Sequence, residues 1–156
     1  MNMNLNIKKR EERKLEDWLA QDCHGLNFFE IDNNLQDLLT LYLPEDLRTH
    51  MTPVYQRLGE IAGNRLDDLA RLCDRHAPVL HPRDARGRNR DWIEFHPAYR
   101  EMEKIGYGDF GIHCMSRKAG VHGWPEKIPP MAKYVFQYLF TQSEFGLMCP
   151  ISVTDT

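Results

Sequence analysis

The stretch MAKYVFQYLFTQSEFG, residues 131–146, sets the strongest limit on the fold. Pro129 and Pro130 precede it and suit a first helical turn, where a missing N–H is no loss. Met131, Tyr134, Val135, Phe136, Tyr138, Leu139, Phe140 and Phe145 then fall almost all the way round a helical wheel. A helix apolar on nearly every side belongs between two layers. The chain must therefore bury this helix on both flanks, or leave one flank for a partner.

The last residues, GLMCPISVTDT, sharpen that choice. Gly146 can end the aromatic helix, and Pro150 suits the first turn of another. Ile151, Val153 and Thr154 then begin an apolar surface. Such an ending reads as the start of an element, and the sequence as the front part of something larger.

Upstream, helical spacing recurs and no convincing period-2 strand run appears. Residues 6–22 read as a charged helix with Ile7, Leu15, Trp18 and Leu19 as its stripe. The KKREERK block is its solvated face; a basic arm for DNA is the other reading, set against the interleaved Glu11, Glu12, Glu16 and Asp17. Cys23-His24-Gly25 ends it, and Asn27 to Glu30 read as an extended lead-in. Asp32 can cap a helix carrying Leu35, Leu38, Leu39 and Tyr42. Pro44 starts the next, with Leu47, Met51, Val54, Leu58 and Ile61 inward and Pro53 as a possible kink or break. Gly63-Asn64 punctuates before a helix with Leu66, Leu69, Leu72 and Cys73 inward, closed by His76-Ala77-Pro78.

Residues 79–96, VLHPRDARGRNRDWIEFH, differ in character. An arginine-rich turn at Gly87 separates two short apolar or extended pieces, with Trp92 and Phe95 expected to anchor the second to a core. A short helix follows over Ala98 to Lys104. Residues 106–128 are rich in Gly and Pro and are expected to hold one helical turn. The expected fold is all-α, six or seven helices with a Gly/Pro-rich connection: a charged helix and linker over 1–26, then a helical domain over 27–156.

Composition bounds the function classes. A hydrophobic share of 42% and a charged share of 28% are those of an ordinary globular chain. A net charge of −3 gives no global basic field for nucleic acid or an anionic membrane. No apolar run nears the roughly 20 residues of a membrane span. The N-terminus lacks the apolar stretch of a secretory signal, and Cys23, Cys73, Cys114 and Cys149 form no CxxC pair. A cytoplasmic location and no membrane contact are the expectation.

Chemistry is sparse. Seven histidines include no HExxH and no compact His/Cys cluster, so no metal site is expected. His81 and His96 both precede proline and read as capping or turn residues. Arg83, Arg86, Arg88 and Arg90 share one turn. They read as a solvated hairpin loop paired to Asp84 and Asp91, or as a phosphate contact. GYGDFG, residues 106–111, is a poor phosphate loop, since no strand leads into it and no helix leaves it.

Two segments carry a family resemblance. EFHPAYREMEKIGYG, and QSEFGLMCPISVT after the aromatic helix, resemble the acyl-CoA dehydrogenase superfamily, closest to the AidB-like DNA alkylation-response branch. The resemblance spans roughly 27–156 and implies the N-terminal helical domain of that fold, truncated before the β-domain. It implies a parent that abstracts an α-proton from an acyl-CoA and passes a hydride to FAD. The parent would be homo-oligomeric, with DNA as a possible partner through its C-terminal part. No catalytic or cofactor-binding residue is expected here, and this chain alone is expected to retain no FAD and to be inactive. By motif position, Cys149, Ile151, Ser152, Thr154 and Asp155 become candidates for a substrate-pocket wall; plain core is the competing reading. A self-standing helical interaction module is the alternative for the whole chain.

Overall fold

The computed structural model describes residues 20–155. Six α-helices and one two-stranded hairpin make up its regular structure: α1 (Asn33–Tyr42), α2 (Glu45–Ile61), α3 (Asp67–Arg75), β1 (Val79–Arg83), β2 (Asn89–Glu94), α4 (Pro97–Glu103), α5 (Pro130–Thr141) and α6 (Phe145–Thr154). Most of the helix expected over 6–22 lies outside the described residues, and residues 20–22 are not helical.

The organising element is a rod running from Glu45 to Arg75. Pro53 does not split it, and Gly63-Asn64 does not end it. A π turn, Ala62–Leu66, joins α2 to α3 instead. The reason lies in what packs there. The Gly63 carbonyl accepts the Gly25 N–H at 2.8 Å, and the Gly59 carbonyl accepts the Phe28 N–H at 3.1 Å. A Cβ at Gly63 would sit 1.7 Å from the Leu26 oxygen, and one at Gly59 would sit 2.6 Å from the Phe29 nitrogen. The two glycines let the lead-in chain lie directly on the helix backbone, and the π turn frees carbonyls to bond it. Asn27 to Glu30, expected to be extended, form a turn instead. The Asn27 side-chain oxygen accepts the Phe29 N–H at 3.0 Å and closes it.

The core forms where the rod meets α5. Met51, Tyr55, Leu58, Ala62 and Leu66 repeat at helical spacing down the rod and are fully buried. Ala132, Val135, Phe136, Leu139 and Phe140 of α5 are buried with them. The Tyr55 ring packs tilted against Phe136, with centroids 4.9 Å apart, and its hydroxyl donates to the Ala132 carbonyl at 3.0 Å. That bond satisfies the one polar atom of a buried ring.

The other flank of α5 is open. Met131, Tyr134 and Tyr138 are about half exposed, facing Leu38 and Tyr42 of α1. The expected stripe of α1 is thus mostly outward, with Leu39 its one buried member. Its cap is as expected: Asp32 accepts the Leu35 N–H at 2.8 Å. Leu72 also faces out of α3.

The two short pieces on either side of the Gly87 turn pair as an antiparallel hairpin. Val79 pairs with Glu94, Leu80 with Ile93 and His81 with Trp92, and every residue of β2 is exposed. Pro82 and a bulge after His81 hide the period-2 signal. Trp92 stacks on His81 at 4.4 Å and does not reach the core; Phe95, half-buried, stacks on Tyr99. The Gly/Pro-rich connection holds three helical turns rather than one: Lys104–Asp109, Ile112–Cys114 and Val121–Gly123.

Candidate functional site

The final helix starts earlier than its sequence suggests. Gly146 does not end the aromatic helix. α5 stops at Thr141, and Ser143 turns the chain by donating its hydroxyl to the Ala62 carbonyl at 2.7 Å. Glu144 then caps α6, its carboxylate accepting the Leu147 N–H at 2.9 Å. Pro150 therefore lies inside α6 and not at its first turn. The Thr154 hydroxyl bonds back to the Pro150 carbonyl.

This start sets which residues face inward. Leu147, Met148 and Ile151 are buried. Gly106 makes room for Ile151, since a Cβ there would meet the Ile151 Cδ1 at 2.5 Å. The glycines of GYGDFG thus serve packing and a π turn, not a phosphate loop. Ser152 is half-buried, and its Oγ accepts from the Gln137 amide at 3.1 Å. Asp155 is 2% exposed at the end of the helix. Its carboxylate accepts the Ser116 N–H at 3.0 Å, the Ser116 hydroxyl at 2.7 Å and the Lys133 ammonium at 2.8 Å. Burial raises the pKa of this carboxyl, but the bonds from Lys133 and Ser116 outweigh it and hold it below the usual range.

The five pocket-wall candidates therefore divide. Cys149 and Thr154 are outward, Ser152 is at the margin, and Ile151 and Asp155 are anchors inside the domain. The outward face also carries Phe145, 76% exposed, and Val153, 68% exposed. Neither is among the five candidates expected from the sequence. Their spacing with Cys149, at 145, 149 and 153, is the i, i+4, i+8 of one helical face, legible once the helix starts at Phe145.

Several other polar groups pair within the domain. His96 caps α4 as expected, its Nδ1 accepting the Ala98 N–H at 3.2 Å. His81 lies within β1, bonded to Glu94 at 2.6 Å, so it is neither cap nor turn. His24 stands 3.0 Å from Asp67 and 3.7 Å from Asp68, and Arg71 bonds the same Asp67 oxygen. Asp84 accepts the N–H groups of Arg86 and Arg88 and pairs with the Arg88 guanidinium at 2.7 Å. That is the Asp84 part of the internal pairing expected of a hairpin loop; among the described residues no such pairing to Asp91 is seen. Among the described residues no helix is long and apolar enough to cross a membrane.

Residues 19–156 match a family described as the adaptive response protein AidB N-terminal domain. The chain belongs to that family. It is thus an acyl-CoA dehydrogenase-like N-terminal domain, and the AidB-type match takes in the whole of α6. A solved structure titled "Bd2924 apo-form" is similar at 26% identity, with a TM-score of 0.71, over 88% of this chain. The AidB-type domain spans 26% of that structure's chain. No curated protein matches it.

Proposed function

We propose that this AidB-type domain is the N-terminal part of a flavin-dependent acyl-CoA dehydrogenase-like oxidoreductase. In this reading the outward face of α6 forms one wall of the cavity where the parent's acyl thioester meets FAD. The parent reaction removes an α-proton and passes a hydride to the flavin, leaving an enoyl product. One observation carries the reading: α6 presents an apolar face with small polar groups, Phe145, Cys149, Val153 and Thr154, from a helix whose other side is locked. Substrate pockets are mostly apolar with a few orienting groups, and their walls need rigid backing. Asp155, Lys133 and Ser116 supply that backing at one end, and the Glu144 cap at the other.

No step of the chemistry is assigned to this domain. The interaction-module alternative is favoured by the open flank of α5. Two measurements separate the readings. The purified 156-residue chain should be colourless in the flavin's visible band and should show no acyl-CoA-dependent dye reduction. The reading frame beyond the Thr156 codon should encode a β-rich segment with T-E-x-x-G-G-S-D-like spacing. A tightly held stoichiometric flavin, or a stop codon with no such segment behind it, would sink the proposal.

A further inference from the structure

A cavity of ≈ 380 Å³ opens between α1, α2 and the turn that leads into them. Its size lies at the small end of the roughly 300–1,000 Å³ usual for small-molecule sites. Arg48, Thr52 and Gln56 line it at i, i+4, i+8, which is one face of α2, and Gln36 and Thr40 line it from α1. Phe29 and Leu39, each 4% exposed, form its apolar floor, and the exposed Glu30 completes the lining. The hydrogen bonds already made leave these groups with one-sided capacity. The Thr40 hydroxyl donates to the Gln36 carbonyl at 3.0 Å, and the Thr52 hydroxyl to the Arg48 carbonyl at 2.8 Å. The Gln36 amide donates to the Phe29 carbonyl at 3.0 Å and to the Glu30 carbonyl at 3.2 Å, which uses both its hydrogens. Toward a ligand, the two hydroxyls and this amide can therefore only accept, as can the Glu30 carboxylate. Arg48 is the opposite case. It is half-buried, and among the described residues its guanidinium holds no carboxylate and no carbonyl. A guanidinium partly withdrawn from water without a counter-charge favours an anion that can reach it.

We propose that this cavity binds a free α-amino acid with an apolar side chain. The ligand's carboxylate takes the Arg48 fork, its ammonium meets the acceptors of Glu30, Thr40, Thr52 and Gln36, and its side chain lies on Phe29 and Leu39. A carboxylate is the planar, two-oxygen group that a guanidinium fork matches. An ammonium brings three donors to a set of groups that have only acceptors left. A ligand with one of these charges leaves the other side of the cavity unanswered, and a polyanion such as phosphate meets Glu30 as a like charge. The cavity shares no residue with α6, so the inference stands apart from the role proposed for that helix.

Titration calorimetry of the 156-residue chain with L-phenylalanine tests this. The controls are 3-phenylpropionate, which lacks the ammonium, and phenethylamine, which lacks the carboxylate. L-Phenylalanine should bind with a Kd below about 1 mM, and each control about 10-fold or more weaker. Arg48→Gln should weaken L-phenylalanine by about 10-fold or more. Glu30→Gln, at an exposed position, should leave the thermal melt unchanged and weaken L-phenylalanine by about 3-fold or more, with no loss for 3-phenylpropionate. If Arg48→Gln disturbs folding, Arg48→Lys, which keeps the charge and loses the fork, should weaken binding in the same direction. No binding at about 10 mM overturns the inference. So does either control binding as well as L-phenylalanine, or an affinity that neither the Arg48 nor the Glu30 change reduces.

Discussion

His122 shows how a single residue can be costly in two ways and still be retained. Its backbone sits at φ 53, a left-handed conformation that non-glycine residues rarely adopt. Its ring stacks on Phe136 at 5.4 Å, and its Nε2–H donates to the Phe110 carbonyl at 2.8 Å. His50 Nε2–H in turn donates to the His122 carbonyl at 2.9 Å, which fixes the loop from outside. Burial pushes the His122 pKa down; the Phe110 bond pulls it up, and Arg57 and His50 push it further down. The unfolded chain therefore takes up a proton more readily than the folded one. The stability from neutral His122 is complete above the unfolded value of about 6.5 and is lost as pH falls below it. Asp155, whose pKa is depressed, loses its contribution only below the unfolded carboxylate value of about 3.9. The two groups thus act in separate windows. A fall in urea midpoint between about pH 7.5 and about pH 5 is expected. His122→Asn, which tolerates positive φ, should flatten that fall while costing about 1 kcal/mol of ring packing at neutral pH. An equal slope in both proteins would remove His122 as the cause.

Among the elements, the rod from α2 to α3 holds the sharpest test of why it continues through Gly63. In an ordinary helix interior, Gly→Ala stabilises by about 0.5–1 kcal/mol. At Gly63 the new Cβ would meet the Leu26 backbone, and the lead-in chain would have to move. Gly63→Ala should therefore destabilise by about 2–3 kcal/mol, lowering Tm by roughly 5–10 °C. Gly108→Ala, whose Cβ meets only Lys104 Cγ at 3.7 Å, should be neutral or slightly stabilising. A stabilising Gly63→Ala would disprove the backbone-on-backbone account. The same contact explains what the sequence could and could not reveal. Asp32, Pro44 and His96-Pro97 mark their helix starts by local chemistry, and all three are where the residues indicate. Gly63 reads as a break, because local propensity cannot register a segment packing on it from some forty positions away. The extended pieces flanking Gly87 were legible, but their regular pairing was obscured by Pro82, the bulge after His81 and the short length of the strands. The start of α6 was hidden because the Glu144 cap was less visible than Gly146 and Pro150. That one slip spread the five wall candidates over two different faces.

The whole molecule depends on α6 more than its terminal position suggests. Its inner face covers Phe140, Ile105 and the connection, and it brings the one carboxylate that neutralises the buried Lys133 among the described residues. Leu147, Met148 and Ile151 each contribute roughly 2 kcal/mol by leaving water. Removing Asp155 would strand Lys133 as an uncompensated buried charge, at a cost of about 3–5 kcal/mol. Together these approach about 10 kcal/mol, which is of the order of a domain's entire stability. A chain ending at Ser143 should therefore lose its cooperative melt while keeping much of its helical signal, as a loosely packed state does. Restoring only the charge balance, by adding Lys133→Met to that truncation, should recover a minor part of the loss, since the apolar burial is still missing. If the truncated chain melted cooperatively within a few degrees of the intact one, α6 would be an appendage. Its outward face could not then be the preset wall that an acyl-CoA dehydrogenase-like pocket requires. If the melt is lost, the inner side of α6 belongs to this domain's core, and only its outer side, from Phe145 to Val153, is left for whatever covers it.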